Sequence, residues 1–156
     1  VRAAFGAVRV VNTHLEYHSV MQREAQIMRL LDLQEEASSS PRAARGHAEP
    51  YDSQTIAASS VLCGDFNLDL SDPQHALIHQ AKRRGLNYRD AWSVCYPERT
   101  HALTCGLYDH AQWADGPDCR DFIFVSEDIT SRVRRVEVNG ATDASDHQPI
   151  LIELAD

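Results

Sequence analysis

Ser60-Val61-Leu62-Cys63-Gly64-Asp65-Phe66-Asn67 sets a short apolar run against a glycine and two polar side chains. A run of this length bounded by a turn residue reads as a buried strand, expected to stop at Gly64 and to hand Asp65 and Asn67 to the edge of a sheet. Helical signals lie on both sides of it. Upstream, Ser19-Val20-Met21-Gln22 has the form of a capping box, with Ser19 and Gln22 satisfying free backbone N–H groups. Val20, Met21, Ile27, Met28 and Leu31 then recur at helical spacing, and Gln22, Arg23, Gln26 and Arg29 fill the other side. An amphipathic helix is therefore expected to about Ala37, with both methionines in the core. Downstream, Ser71 or Asp72 caps a second helix with Pro73 in its first turn, Ala76, Leu77 and Ala81 face inward, and Gly85 ends it. With Ala7, Val8, Val10 and Val11 as an opening strand, strand and helix alternate, which predicts an α/β fold.

Further along, Asp121-Phe122-Ile123-Phe124-Val125 predicts a strongly apolar strand, and Val136 to Val138 and Pro149 to Leu154 supply two more. Pro149 discourages helix at Gln148 and leaves Asp143 to His147 as a polar connection. Between Trp92 and Asp118 the chain reads as irregular. From Ser38 to Ser53, Ser, Pro, Ala, Arg and Gly follow one another without a hydrophobic period, as in a surface loop or disordered insertion. The elements on either side of it are too few for separate cores, so 1–156 is read as part of one domain with an insertion at 38–53.

A chain of 156 residues with 43% hydrophobic and 24% charged residues has apolar material enough for one core. No stretch approaches the roughly 18 to 20 apolar residues of a membrane-spanning helix, and the start lacks a secretory pattern. Val1 reads as an interior position, so the chain is expected to be a fragment of something longer. A net charge of −8 argues against a broad nucleic-acid footprint, although a basic groove on a missing part would restore one. Lys82, Arg83 and Arg84, and Arg132, Arg134 and Arg135, form two basic clusters, read as solvated faces or as holders of a phosphorylated ligand. Four cysteines without C-x-x-C spacing exclude a zinc ribbon and a thioredoxin-type motif. Free thiols fit a reducing, cytoplasmic setting; in an oxidising one Cys105 and Cys119 would be the pair.

Polar residues gather at predicted strand ends: His14 after the first, Asp65 and Asn67 after the second, Asp121 opening another, Asp146 and His147 before the last. Strand ends of open α/β sheets are where distant positions converge on a ligand. Carboxylates with an amide oxygen suit a hard cation, and histidine exchanges protons near neutral pH. Taken singly, each has a plainer reading. Asp65 and Asn67 make an Asx turn, Asp121 is a strand-start carboxylate, Asp146 caps a turn, and His147 is a surface imidazole. His14 and His18 are four apart but lack the His-Glu-x-x-His pattern of zinc proteases. Trp92 and Trp113 read as packing residues, or alternatively as platforms for a base.

Taken together and in order, Asn12-Thr13-His14-Leu15, Gly64-Asp65-Phe66-Asn67, Asp121-Phe122-Ile123-Phe124-Val125-Ser126 and Ser145-Asp146-His147-Gln148-Pro149-Ile150 resemble the endonuclease/exonuclease/phosphatase superfamily from Val8 to Leu154. The resemblance implies a deoxyribonuclease I-like α/β sandwich, two packed mixed β-sheets flanked by helices, of which this chain is the C-terminal half. It implies Mg²⁺- or Mn²⁺-dependent hydrolysis of a phosphoester in nucleic acid, a phospholipid headgroup or an inositol phosphate. By position, Asp65 would orient or deprotonate the attacking water and Asn67 would hold a phosphoryl oxygen. Asp146, with Asp65 and Asn67, would lie at the metal. His147, kept cationic by Asp121, would contact the scissile phosphate, and His14 would act near the leaving group, which favours diesters over monoesters. Family members draw an Asn and a metal-binding Glu from an N-terminal half, and Glu16 does not stand in for that Glu by position. The isolated chain is thus expected to bind Mg²⁺ weakly and to need a complementing N-terminal segment or a second copy over its exposed sheet face. The other class of reading is a non-catalytic relative acting as a binding or scaffold module.

Overall fold

In the computed structural model, which describes residues 1–39, 56–80 and 82–156, the chain runs β1 (Arg2–Ala3), β2 (Gly6–Ala7), β3 (Arg9–His14), α1 (Val20–Ser39), β4 (Ser60–Asp65), α2 (Pro73–Gln80), β5 (Tyr88–Asp90), α3 (Ala91–Cys95), β6 (Asp121–Ser126), a 3-10 turn (Glu127–Arg132), β7 (Val133–Val138) and β8 (Ile150–Leu154). The main sheet has the order β3-β4-β6-β5, parallel between β3 and β4 and antiparallel elsewhere. The hairpin β1-β2 and the antiparallel pair β7-β8 stand apart from it as two-stranded sheets.

Side chains alternate across a strand, and here both faces of the sheet are covered. Leu62, Phe122 and Phe124 point to one side, where Ile27 and Leu31 of α1, Ile78 of α2, and Phe66 and Leu68 complete a core. Val61, Ile123 and Val125 point to the other, against Val133 and Val136 of β7, Ala91 and Trp92 of α3, and Ile129. This places α1 and α2 on one face and the β7-β8 sheet on the opposite one.

β4 does not stop at Gly64. It continues to Asp65, because a glycine with φ near +133° lets the backbone of β3 pass at a distance that a Cβ would reduce to 1.9 Å from Thr13 O. α1 begins as expected, with the Gln22 N–H donating to Ser19 Oγ at 3.3 Å, but Glu16 rather than Gln22 accepts from the Ser19 N–H. Its buried face is the predicted one at Ile27 and Leu31 but not at Val20, Met21 and Met28. Arg23, Ile27, Leu31, Gln34 and Ala37 are buried, while Val20 and Met21 are exposed and Met28 is 37% exposed. Arg23 is buried there with its charge partnered: Nε donates to Gln74 Oε1 at 2.8 Å, and Nη1 donates to the carbonyls of Glu16 and Tyr17, each at 3.1 Å. α1 also takes in Ser38 and Ser39 of the expected insertion; the rest of 38–53 lies outside the described residues.

In α2, Gln74, His75 and Ile78 are buried, Ala76 and Leu77 half-buried, and Ala81 is outside the described residues. Asp69 organises the turn before this helix, accepting from Ser71 N at 2.8 Å and Asp72 N at 3.2 Å. β5 lies just ahead of the stretch read as irregular and α3 overlaps its start; the two join at Asp90, whose carboxylate caps α3 by accepting from Trp92 N at 2.9 Å. Trp92 is a packing residue, stacked on His101 at 4.5 Å. The basic clusters are largely engaged on the surface: Arg83 pairs with Asp32 and Glu35, Arg135 with Glu137, and Arg132 lies over the Phe5 ring. All four cysteines are free, and burial pushes the Cys105 thiol up to about 12 and the Cys119 thiol higher still. No described helix is long and apolar enough to cross a membrane.

Candidate active site

Sheet register brings the first three residues together. His14 pairs with Asp65 across β3 and β4, and Asp65 pairs with Asp121 across β4 and β6, so the three occupy one row at one edge of the sheet. His14 Nε2 lies 3.4 Å from Asp65 Oδ2. The Asx turn expected of Asp65 and Asn67 is present, with the Asn67 N–H donating to Asp65 Oδ1 at 2.8 Å. That turn also aims Asn67, which sits at φ +50°, a left-handed conformation asparagine tolerates better than most residues. The Asn67 amide is further fixed by Nδ2 donating to Leu15 O at 2.8 Å, leaving Oδ1 and one N–H for a ligand.

Asp146 and His147 come from the connection before β8. Backbone bonds from Gly106 N to Asp146 O at 2.9 Å and from Gln148 N to Thr104 O at 2.7 Å hold that connection, with Cys105 bridged to His147. His147 Nδ1 is 2.8 Å from Asp121 Oδ2, and His147 Nε2 is 3.9 Å from Asp65 Oδ2. All six residues line one cavity of about 590 Å³, together with Tyr17, Gln112, Trp113 and Ser145. Gln112 Nε2 donates to Asp146 Oδ2 at 3.0 Å, and the Trp113 ring meets His147 edge-on at 5.9 Å. Tyr17 and Gln112 carry no pattern in the sequence: one lies past a strand end and the other in an irregular loop. Trp113, read as packing or platform, stands at the cavity wall. A second groove, of about 600 Å³, is lined mainly by aliphatic side chains such as Val10, Val61, Ile150 and Ile152, and chemistry rather than size singles out the first.

Electrostatics follow from the crowding. Burial holds the Asp65 carboxyl above its usual range and the Asp121 charge adds to this, against the opposing pull of the Asn67 N–H, His147 and His14. His147 is raised above an ordinary imidazole, first by its hydrogen bond to Asp121 and then by the fields of Asp121, Asp65 and Asp146, all working against burial. One ligand atom from each of Asp65, Asp121 and His147 lies within 4.8 Å of the others. The metal set expected from the sequence is Asp65, Asn67 and Asp146; of its two carboxylates, Asp65 belongs to this group and Asp146 does not. Converging carboxylates with an amide oxygen are a donor set that suits a hard divalent cation.

The Endonuclease/Exonuclease/phosphatase family profile matches residues 4–147. The chain belongs to this family. No curated protein matches it in sequence. Among solved structures it is similar to the mannosyl-6-phosphatase Bt3783 of Bacteroides thetaiotaomicron, at 18% identity and TM-score 0.63, covering 94% of this chain and 51% of that one. Truncated Caenorhabditis elegans TDP2 shares 20% identity at TM-score 0.57, covering 96% and 54%. The 3′ phosphatase NExo from Neisseria, bound to product DNA hairpin, shares 17% identity at TM-score 0.59, covering 96% and 62%. These likenesses show the fold, a deoxyribonuclease I-like α/β architecture. The chain spans about half the length of the first two and 62% of the third.

Proposed function

We propose that this chain contributes His14, Asp65, Asn67, Asp121, Asp146 and His147 to the site of a hydrolase that cleaves phosphoester bonds by in-line attack of water. The observation that carries this reading is the Asp121–His147 pair, at 2.8 Å, opposite the Asp65 carboxylate. His147 has Nδ1 committed to Asp121, so Nε2 is the atom offered to a phosphoryl oxygen, and its proton stabilises charge that builds there. Asp65, raised by burial, accepts the proton of the attacking water. Asn67 holds a phosphoryl oxygen through its remaining N–H. His14, exposed and beside Asp65, donates a proton to the leaving oxygen, which favours a diester, whose leaving group is an alkoxide.

Mg²⁺ or Mn²⁺, held by Asp146, Asp65 and Asn67 Oδ1, would act as a Lewis acid on the phosphoryl oxygens. Residues 1–156 are on this reading one part of a single domain, completed by a segment or second copy that supplies further metal ligands. The isolated chain then binds Mg²⁺ weakly and turns over slowly or not at all. A nucleic acid, a phospholipid headgroup and an inositol phosphate are the substrate classes to compare. The experiment is hydrolysis of bis-para-nitrophenyl phosphate, DNA, sphingomyelin and inositol phosphates by the full protein, with Mg²⁺, with Mn²⁺ and with chelator. Metal-dependent release from at least one is the expected result. Intact substrates throughout would favour the binding-module reading instead.

A further inference from the structure

Asp121 Oδ2 has two partners, and one of them lies outside the set drawn together above. Beside His147 Nδ1 at 2.8 Å stands Thr104 Oγ1 at 2.7 Å, on a side chain with no exposed surface. A hydroxyl has one proton and two lone pairs. Thr104 Oγ1 accepts from the backbone N–H groups of Arg120 and of Asp121, each at 3.0 Å, so both lone pairs are taken. Its proton goes to Asp121 Oδ2 at 2.7 Å, a charged oxygen and a far stronger acceptor than the neighbouring Cys119 thiol.

That single direction fixes the polarity of the next bond. Asp121 Oδ2 accepts a hydrogen bond from Thr104 and has one lone pair remaining, so toward His147 it is again an acceptor. The imidazole must then carry hydrogen on Nδ1 and turn Nε2 to the Asp65 side, 3.9 Å away. The backbone of Thr104 reinforces the arrangement. Its N–H donates to Asp118 O at 2.8 Å and its carbonyl accepts from Gln148 N at 2.7 Å, joining the segment before β6 to the one that carries His147. We propose that Thr104 is a positioning residue, whose hydroxyl keeps Asp121 an acceptor and thereby holds a hydrogen on His147 Nδ1 and sets the aim of its ring. The inference rests on the phosphoesterase reading only for its kinetic consequence.

The test compares wild type, Thr104→Val and Thr104→Ser in the full protein, by turnover of bis-para-nitrophenyl phosphate and by the long-range ¹H–¹⁵N spectrum of the His147 ring. Removing a hydroxyl behind a histidine of this kind is expected to lower kcat roughly 10- to 100-fold, with KM within about threefold, and Thr104→Ser to restore most of it. The His147 ring signals should move in Thr104→Val and stay near wild type in Thr104→Ser. Wild-type kcat in Thr104→Val with an unchanged ring spectrum overturns the inference. So does a wild-type spectrum with hydrogen on Nε2 and none on Nδ1, a result that needs no variant to fold. If wild type turns over none of bis-para-nitrophenyl phosphate, DNA, sphingomyelin and inositol phosphates, the phosphoesterase reading fails while the ring spectra still decide the role of Thr104.

Discussion

In the proposed mechanism Asp65 and His147 carry opposite duties in the same cavity, and pH separates them. Asp65 must be ionised to accept a proton and is held above the usual carboxylate range, so the acid limb of activity is expected above the range of a free aspartate. His147 must be protonated and is raised chiefly by its bond to Asp121, so activity is present below its pKa and lost as pH rises through it. Asp121→Asn removes the main cause of that rise and should move the alkaline limb to lower pH, read from kcat/KM against pH. Asp65→Asn should cost roughly 100- to 10,000-fold in kcat, as loss of a general base does. That these six residues converge on one cavity was legible because each stands at or near a strand end, where polar side chains interrupt an apolar run. Thr104, Gln112 and Tyr17 were not. Their roles depend on the loop between Cys95 and Asp121 and on the turn after β3, neither of which has a period.

Among the elements, β4 and β6 fix the site, because their register sets Asp65 against Asp121. Gly64 permits it. Gly64→Ala places a Cβ 1.9 Å from Thr13 O and forces a left-handed alanine, so it should destabilise by roughly 3 kcal/mol, measured by urea unfolding. Phe124→Ala in β6 empties a fully buried position and should cost about 3 to 5 kcal/mol. Met21→Gln, by contrast, changes an exposed side chain and should stay within about 0.5 kcal/mol. That contrast reverses the sequence reading of α1, which weighed hydropathy and assigned the methionines to the core. Arg23 and Gln34 hold the buried face instead, and their partners, Gln74 and the carbonyl of Ala58, lie on other segments that no local pattern reveals. The strands were read more accurately than the helix faces because a strand covered on both faces is apolar throughout, whichever side each residue takes.

Across the whole molecule, acid should weaken the fold through histidines as well as carboxylates. Burial lowers His75 to about 4 and also lowers His101, and both lie in the layer between α2, β6 and Trp92. A histidine kept neutral in the folded state contributes stability above its unfolded pKa of 6.5, and that stability is lost as pH falls from there toward 4. Tm should therefore drop between pH 7 and pH 5, and His75→Gln should flatten that drop. The net charge of −8 argues against a broad nucleic-acid footprint on this part, and the chain spans about half of relatives such as Bt3783. Composition could therefore bound the partner class but not choose it. The central claim, attack on phosphorus by water that Asp65 activates, is tested most directly by single-turnover hydrolysis of a phosphodiester in ¹⁸O-water by the full protein with Mg²⁺. One ¹⁸O is expected in the phosphate-bearing product and none in the alcohol, with the reaction lost in chelator and in Asp65→Asn. Label in the alcohol, or equal turnover by Asp65→Asn, would contradict it.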